Sequence, residues 1–211
     1  GLGPIGTSIG YALKKYCNNI GEIIGYDLSN KNQDYAKKNQ AIDKTEWNIK
    51  NAVSQSDLIF ICVPTGRVYE VINDISDATK SKAIICDTSN AKRACINWVD
   101  NLFVNDVSYI GINPLTSASL KTQDDSSPDA FFGAKCAVIL GNKATKDSIE
   151  IITNIIESFG SNLLFMDPDE HDSFAVATST LPSIIASAMI NAVSESPAWP
   201  EISNFVGTNF D

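Results

Sequence analysis

The chain begins with a glycine-rich run that limits its fold more than any other feature. The first six residues, Gly1-Leu2-Gly3-Pro4-Ile5-Gly6, form a G-x-G-x-x-G pattern, and apolar residues follow at helical spacing at Ile9, Ala12 and Leu13. In such a pattern the first glycine allows a tight turn, the second lets the backbone approach a pyrophosphate, and the third lets the helix pack on a sheet. The phosphates rest at the helix N-terminus. The run therefore predicts a dinucleotide-binding turn.

An acidic residue further along the chain indicates which dinucleotide to expect. Asp27 closes the strand-like run Glu22–Tyr26, at the spacing of about twenty residues that is typical of dinucleotide-binding proteins. Its carboxylate can accept hydrogen bonds from both ribose hydroxyls of NAD and would repel the 2′-phosphate of NADP, and no arginine follows it closely. A glycine run alone can be a simple turn. With the helix and Asp27 beside it, we predict NAD as the cofactor and NADP as the less favoured alternative.

The position of the glycine run bears on the sheet. In a dinucleotide-binding fold the glycines follow the first strand, which lies in the middle of the sheet, and the sequence has no residue before Gly1. We therefore expect a sheet that lacks its first strand. Two explanations stay open: the sequence is a partial reading frame, or the sheet borrows a strand from a neighbouring molecule.

Length and charge narrow the class of protein and its partners. The 211 residues suffice for one full domain and part of a second. The formal net charge of -9 and the pI near 4.6 argue against nucleic acid or an anionic membrane as a partner. No membrane span or export leader is evident in the sequence. We expect a cytoplasmic protein that binds a small-molecule substrate.

Cysteine and histidine usage argues against disulfides and metals. The five cysteines form no C-x-x-C pair, and Cys62, Cys86 and Cys136 lie in apolar strand-like runs. This pattern favours reduced, buried thiols. His171 is the only histidine, and no clustered His, Cys or carboxylate spacing accompanies it. We therefore expect no metal site.

Apolar runs alternate with helical periodicity along most of the chain. Six runs are apolar at consecutive positions, which is typical of strands buried on both faces. They are Ile23–Asp27, Asp57–Val63, Lys82–Asp87, Ser108–Ile112, Cys136–Leu140 and Leu163–Met166. Between them, Val68–Ile75 and Asp147–Phe159 show helical spacing, and Gly160 offers a C-cap. The order predicts an α/β fold with a Rossmann-like, doubly wound, mostly parallel sheet and ligands at the carboxyl ends of its strands.

A second domain is predicted to begin near residue 167. Asp167 suits an N-cap and Pro168 the first helical position. The helix that they start is apolar nearly all round from His171 to Val193, which is typical of a helix buried between units. We expect a dinucleotide-binding domain over residues 1–166 and the beginning of an all-α dimerisation domain over residues 167–211.

The ordered motifs resemble those of prephenate and arogenate dehydrogenases over nearly all of the chain. They are Gly1-Leu2-Gly3-Pro4-Ile5-Gly6, Ile24-Gly25-Tyr26-Asp27, Ala41-Ile42-Asp43, Ser56-Asp57-Leu58-Ile59, Cys62-Val63-Pro64, Asp87-Thr88, Gly111 with Pro114, Phe131-Phe132-Gly133, Met166-Asp167-Pro168-Asp169-Glu170-His171-Asp172 and Leu181-Pro182. The resemblance implies an NAD(P)-dependent oxidative decarboxylation of prephenate or arogenate in tyrosine biosynthesis. It also implies a homodimer formed by a helical C-terminal domain.

On this basis the cofactor contacts can be assigned to particular residues. We expect Gly1, Gly3, Pro4, Ile5 and Gly6 at the pyrophosphate, Asp27 at a ribose, and Val63, Pro64 and Thr65 at the nicotinamide ribose. Asp87 and Thr88 follow a strand on the cofactor side. Asp87 either faces the cofactor or caps the following helix.

The residues expected at the reacting centre depart from the family pattern. The resemblance implies a histidine that holds the C4 hydroxyl of the substrate, a serine after the fourth strand, and a second histidine before the Leu-Pro pair. Here the three positions are Asn113, Asn90 (unless Ser89 serves instead) and Thr180. Asn113 can hydrogen-bond a hydroxyl but cannot take up a proton near neutral pH. Losing a general base typically costs a factor of about 10²–10⁴ in rate.

Three functions therefore stay open. The first is a prephenate or arogenate dehydrogenase. The second is an NAD-binding relative without that activity, either regulatory or inert, and the third is an oxidoreductase for another small hydroxy acid. The nearby ionisable residues have structural explanations: we expect His171 to serve packing or capping. Lys92 and Arg93 are expected on a solvated helix face, although they suit a substrate carboxylate as well.

Overall fold

The computed structural model describes residues 1–116 and 120–205. The chain divides into two compact units, Gly1–Asp172 and Ser173–Asp211. The assignment of residues 167–211 to a separate dimerisation domain stays a prediction.

Seven strands lie in the described part of the first unit. They are β1 (Ile24–Gly25), β2 (Lys44–Thr45), β3 (Leu58–Ile61), β4 (Ile84–Asp87), β5 (Ser108–Leu115), β6 (Lys135–Leu140) and β7 (Asn162–Phe165). Each of the six predicted runs overlaps a strand, whereas β2 was not predicted. β1 pairs with β2 in parallel, and β3 to β7 form a second sheet in chain order. Its pairs are parallel except β5 with β6, which confirms the Rossmann-like, mostly parallel sheet.

Seven α-helices lie wholly or mainly in the described part of the first unit. They are α1 (Pro4–Tyr16), α2 (Asn30–Lys38), α3 (Ile49–Ser54), α4 (Val68–Ile75), α5 (Lys92–Leu102), α6 (Lys146–Ser158) and α7 (Pro168–Ala175). Five of them, α1 and α3 to α6, pack on the larger sheet. One apolar cluster joins α1 and α6 to strand residues such as Ile110. Another joins α4 and α5 to residues of the opposite face, such as Ile85. The central strands β4, β5 and β6 are thus largely buried, as their continuous apolar runs predict. In β7, at the edge of the sheet, Leu164 and Phe165 are exposed, so the predicted burial on both faces is wrong for that strand.

A cavity of about 920 Å³ separates the two sheets. Ile23–Leu28 line one side of it, Leu58–Val63 line the other, and Gly1–Gly3 reach its rim. Among the described residues, no strand pairs with both β1 and β3. This arrangement agrees with a sheet whose first strand is absent from these residues.

The second unit is helical where it is described. A π-helical turn (Val176–Thr180) precedes α8 (Leu181–Ser194) and α9 (Trp199–Ile202). The apolar side chains of α8 are exposed, with Ile184 and Ile185 each at 59%. The prediction that this helix is buried is therefore wrong for the single chain. By length and hydropathy alone (1.5 over its most apolar window), the helical stretch Pro168–Ser194 also qualifies as a membrane span, so the absence of a membrane partner stays a prediction.

Candidate active site

The glycine turn leads directly into α1 and is closely packed at two of its three glycines. Gly3 is the N-cap of α1 and lacks a side chain to cap it. A Cβ on Gly1 would lie closer than 3.0 Å to the carbonyl oxygen of Cys62, and a Cβ on Gly6 would lie equally close to the carbonyl oxygen of Gly1. A Cβ on Gly3 meets nothing within 4 Å. The turn therefore presents open backbone at Gly3, which is where a phosphate approaches in this kind of fold.

The carboxylate of Asp27 fixes the turn to the end of β1. Asp27 Oδ2 accepts a hydrogen bond from the backbone N–H of Leu2 at 2.7 Å. Asp27 Oδ1 accepts one from the N–H of Ser29 at 2.8 Å and a longer one from Asn32 Nδ2 at 3.3 Å. The side chain lines the cavity. A fixed negative charge therefore lies beside the glycine turn, as the spacing of the motif predicts.

A segment after β5 also holds the glycine turn, and sequence reasoning missed it. Gln123 Nε2 donates to the carbonyl oxygens of Leu2 at 2.5 Å and Asn32 at 3.1 Å. Ser126 Oγ donates to the carbonyl oxygen of Pro4 at 3.2 Å. These contacts join positions more than 90 residues apart. No local pattern in the sequence could have indicated them.

Polar groups from three consecutive strands meet at the carboxyl edge of the sheet. Thr65, four residues beyond β3, accepts a hydrogen bond at Oγ1 from the N–H of Asn90 at 3.3 Å. Asn90 Oδ1 accepts one from Asn113 Nδ2 at 3.0 Å. Asn113 belongs to β5, beyond Gly111, where the pairing of β5 with β4 ends. The structure thus brings together three of the predicted site residues, while their chemical roles stay predictions.

His171 lies within the same group of polar side chains. Its Nε2 is 3.0 Å from Asn113 Nδ2, its Nδ1 is 2.9 Å from Asp172 Oδ1, and the residue is only 3% exposed. Sequence reasoning gave it a packing or capping role and did not place it beside Asn113. The only indication in the sequence of a role at the site was that His171 is the sole histidine of the chain.

Asp172 caps a helix of the first unit from outside that helix. Its Oδ1 and Oδ2 accept hydrogen bonds from the N–H groups of Lys92 at 2.8 Å and Arg93 at 3.0 Å, at the start of α5. Ala91, the N-cap residue of α5, has no capping side chain. A carboxylate at this end is favourable because the first N–H groups of a helix lack internal partners. Asp172 therefore caps the N-terminus of α5 from a distant part of the same unit.

A buried ion pair lies below the polar group. Lys92 and Asp87 are both 0% exposed, and Lys92 Nζ donates to Asp87 Oδ1 at 3.0 Å and to the carbonyl oxygen of Ile112 at 2.9 Å. Tyr109 donates its hydroxyl to Asp87 Oδ2, and Ser89 donates its hydroxyl to Asp87 Oδ1. The prediction of a solvated helix face is therefore wrong for Lys92, because its ammonium turns inward to buried acceptors.

The predicted site residues Asp87 and Thr88 make hydrogen bonds within the protein. Both carboxylate oxygens of Asp87 have internal partners, and Ala91, not Asp87, is the N-cap of α5. The N–H of Thr88 donates to the carbonyl oxygen of Ile61 at 3.1 Å. The cofactor contacts of Asp87 and Thr88, and a substrate contact of Ser89, stay predictions. Thr180 belongs to the second unit, in its π-helical turn, and its role stays a prediction as well.

Burial within this network disfavours ionisation of Tyr109 and Cys95. Burial and the nearby Asp87 carboxylate raise the pKa of Tyr109 well above its ordinary value. Burial raises the pKa of Cys95 to about 12. Tyr109 therefore remains a hydroxyl donor, and Cys95 is a thiol rather than a nucleophile.

Among the described residues, no group of His, Cys, Asp and Glu side chains is suited to hold a metal ion.

The side chain of Arg93, unlike that of Lys92, is partly exposed to solvent. Its guanidinium donates from Nε to Asp169 Oδ1 at 2.7 Å and from Nη2 to Asp169 Oδ2 at 2.6 Å. This pairing lowers the pKa of Asp169. Because a fork-shaped guanidinium binds a carboxylate through two bonds, Arg93 is engaged by the protein itself in this arrangement.

The parallel sheet, the glycine turn at a helix N-terminus and the acidic residue beside it define a dinucleotide-binding domain of the Rossmann type. The family model "Prephenate dehydrogenase, nucleotide-binding domain" matches residues 9–165 of the chain. The chain belongs to the prephenate dehydrogenase family.

Individual relatives agree with this assignment. The chain is 31% identical over 199 residues to cyclohexadienyl dehydrogenase of Zymomonas mobilis, covering 92% of this chain and 66% of that protein. It is 24% identical over 213 residues to prephenate dehydrogenase of Bacillus subtilis, covering 100% of this chain and 57% of that protein. The chain thus spans less than two thirds of the length of these relatives.

Solved structures show the same fold. Prephenate dehydrogenase from A. aeolicus, in complex with hydroxyphenyl propionate and NAD+, superposes with a TM-score of 0.81 at 20% identity, covering 93% of this chain and 69% of that one. Arogenate dehydrogenase from Synechocystis superposes with a TM-score of 0.77 at 19% identity, covering 100% of this chain and 74% of that one.

Proposed function

We propose that the full-length protein oxidises prephenate or arogenate with NAD, releases CO2 and supplies tyrosine biosynthesis. The match of the family's nucleotide-binding domain over residues 9–165 carries this proposal. The two curated relatives are themselves cyclohexadienyl and prephenate dehydrogenases. The glycine turn and the polar group at Asn113 supply a cofactor side and a substrate side along one edge of the sheet.

The residues of the glycine turn fit a dinucleotide. The open space at Gly3 leaves backbone accessible to a pyrophosphate, and Asp27 lies next to Leu2 of the turn, where it favours ribose hydroxyls over a 2′-phosphate. The proposed contacts are Gly1, Gly3, Pro4, Ile5 and Gly6 for the pyrophosphate, Asp27 for a ribose, and Val63, Pro64 and Thr65 for the nicotinamide ribose. When bound, NAD supplies the hydride acceptor.

The balance of the reaction explains how an amide can serve at position 113. A hydride leaves C4 of the substrate ring, and the electron pair of the bond to the ring carboxylate enters the ring as CO2 departs. The hydroxyl on C4 therefore keeps its proton in the net reaction. A hydrogen-bond acceptor at this hydroxyl is needed only while positive charge develops on the ring and its hydroxyl during hydride transfer. The carbonyl group of Asn113 can accept a hydrogen bond from this hydroxyl, but it cannot act as a base. We infer a slow enzyme that orients its substrate correctly.

A second candidate is an NAD-binding relative that does not turn over prephenate. The amide at Asn113, in place of a base, favours it. A third candidate is an oxidoreductase that acts on another small hydroxy acid. The exposed apolar side chains of α8 support a homodimer through the helices of the second unit. The free thiols support a cytoplasmic location.

One assay tests the proposed function. The full-length protein is incubated with prephenate or arogenate and with NAD or NADP, and the absorbance of the reduced cofactor is followed. We expect turnover with one of the two substrates and a preference for NAD. Binding of NAD in calorimetry without turnover of either substrate would favour the second candidate.

A pair of glycine variants tests the proposed cofactor site. Gly3→Ala should lower the stability of the protein by less than about 1 kcal/mol, because its Cβ meets no atom within 4 Å and the only penalty is that alanine is a poorer N-cap residue than glycine. It should weaken NAD binding by about tenfold, because the methyl group stands where the pyrophosphate approaches. Gly6→Ala should instead destabilise the fold by about 1–3 kcal/mol, because its Cβ overlaps the carbonyl oxygen of Gly1.

Calorimetric titration with NAD and urea unfolding measure the two effects separately. Parent-like NAD binding by Gly3→Ala would contradict the proposed pyrophosphate position. Parent-like unfolding of Gly6→Ala would contradict the packing of the turn.

A further inference from the structure

Both N–H groups of the Asn113 side-chain amide have acceptors within the protein. One acceptor is Asn90 Oδ1, and the other is His171 Nε2, each at 3.0 Å from Asn113 Nδ2. An amide nitrogen carries two hydrogens. The donor capacity of Asn113 is therefore fully used by its neighbours.

The hydrogen bonds of His171 fix which of its ring nitrogens accepts. The Asp172 carboxylate lies 2.9 Å from His171 Nδ1, so Nδ1 carries the hydrogen and Nε2 presents its lone pair to Asn113. Asp172 is itself held by the N–H groups of Lys92 and Arg93. Asp172, which orients His171, is thus itself held in place by the start of α5.

The nearby charged groups are already paired with one another. The ammonium of Lys92 is bonded to Asp87, and the guanidinium of Arg93 is bonded to Asp169. His171 is 3% exposed, so little water reaches it. The surroundings therefore leave the pairing of His171 with Asp172 and Asn113 undisturbed.

The orientation of the Asn113 amide follows from these contacts. With Nδ2 directed to Asn90 and His171, Oδ1 points the other way. The hydrogen bonds of the described residues include none to Asn113 Oδ1. Position 113 consequently offers a hydrogen-bond acceptor and no donor.

We propose that His171, held by Asp172, is a positioning residue that keeps the Asn113 carbonyl oxygen turned toward the ring hydroxyl of the ligand, so that the site selects rings whose substituent donates a hydrogen bond. This inference rests on the proposed function, which places the substrate hydroxyl at Asn113. Without His171, only the bond to Asn90 Oδ1 still holds the amide in this orientation, so the amide presents its NH2 group to the ligand more often.

Two ligands and two variants test the inference without requiring turnover. The ligands are 3-(4-hydroxyphenyl)propionate and 3-(4-fluorophenyl)propionate, and their affinities for the full-length protein are measured by calorimetry with NAD present. Only the hydroxyl compound can donate a hydrogen bond. The parent protein should prefer it by a factor of about 3–10, the value of one net hydrogen bond.

The variants separate the two contacts of His171. In His171→Asn the amide takes the place of Nδ1 and can still donate to Asp172, but it is too short to reach Asn113. Because the bond to Asn90 remains, the preference should fall toward onefold, to less than half of the parent's value. In His171→Gln the longer amide can accept from Asn113, and the preference should return. Equal preference in the parent and His171→Asn, equal affinity of the two ligands for the parent, or failure of the parent to bind either ligand would overturn the inference.

A further variant distinguishes positioning from a general structural role. In Asn113→Asp both carboxylate oxygens accept hydrogen bonds, so orientation no longer matters, and adding His171→Asn should then leave the ligand preference unchanged. A preference that still falls would show that His171 acts on the fold and would overturn the inference. A parent that prefers the hydroxyl ligand but does not turn over prephenate or arogenate would contradict only the proposed activity.

Discussion

Replacing Asn113 by histidine in the full-length protein should raise the turnover of prephenate by a factor of about 10²–10⁴, the usual contribution of a general base. The polar neighbours of Asn113 can hold an imidazole, because Asn90 and His171 already hydrogen-bond its side chain. An imidazole can take up charge from the ring hydroxyl as the hydride leaves, which an amide cannot. Turnover is measured as the rate of formation of reduced cofactor.

A matched variant controls for the change in side-chain size. Asn113→Gln lengthens the side chain but adds no base, so it should give no gain in turnover. If the histidine variant were no faster than the glutamine variant, position 113 would not lie at the reacting hydroxyl. A gain in the histidine variant from an inactive parent would identify the protein as a relative that has lost its base.

Replacing Lys92 by methionine should lower the free energy of unfolding by about 3–5 kcal/mol, because it leaves the buried carboxylate of Asp87 without its cation. Both side chains are fully buried, and Lys92 also satisfies the carbonyl oxygen of Ile112. A Cβ on Gly111 would lie 2.7 Å from Lys92 Cδ, so the surrounding structure is shaped to admit the lysine. Urea unfolding of the parent and the variant measures the difference.

The control for this variant is an ion pair at the surface. Lys50 pairs with Asp77 at 2.7 Å, and half or more of each side chain is exposed. Lys50→Met should unfold close to the parent because surface pairs are screened by water. Equal destabilisation by the two substitutions would contradict the importance of the buried pair.

The fold could largely be predicted from the sequence because its signals are local. A strand buried on both faces appears as a continuous apolar run, so five of the six predicted runs match strands of the five-stranded sheet and the sixth matches β1. β2 escaped prediction because it consists only of Lys44 and Thr45, which carry no such pattern. The exposure of α8 escaped prediction because an apolar helix shows only that some partner is expected, without showing that the partner lies in the same chain.

The geometry of the glycine turn could be predicted from the sequence, whereas the grouping of polar side chains around Asn113 could be predicted only in part. The turn at Gly1–Gly6 is a contiguous motif whose geometry follows from its glycines. His171 and Asn113 are 58 positions apart, and Lys92 and Asp172 are 80 positions apart. Such contacts depend on how α5, α7 and β5 pack together, and no sequence spacing encodes them. The inward turn of Lys92 has the same origin.

We propose that the full-length protein transfers a hydride from C4 of its substrate to NAD. Prephenate, or arogenate if that is the preferred substrate, is prepared with deuterium at C4 and incubated with the protein and NAD. The reduced cofactor is then analysed by mass spectrometry. We predict one deuterium in each reduced nicotinamide and one molecule of CO2 released for each. Reduced cofactor without deuterium, or bound NAD that is never reduced with either substrate, would contradict the account.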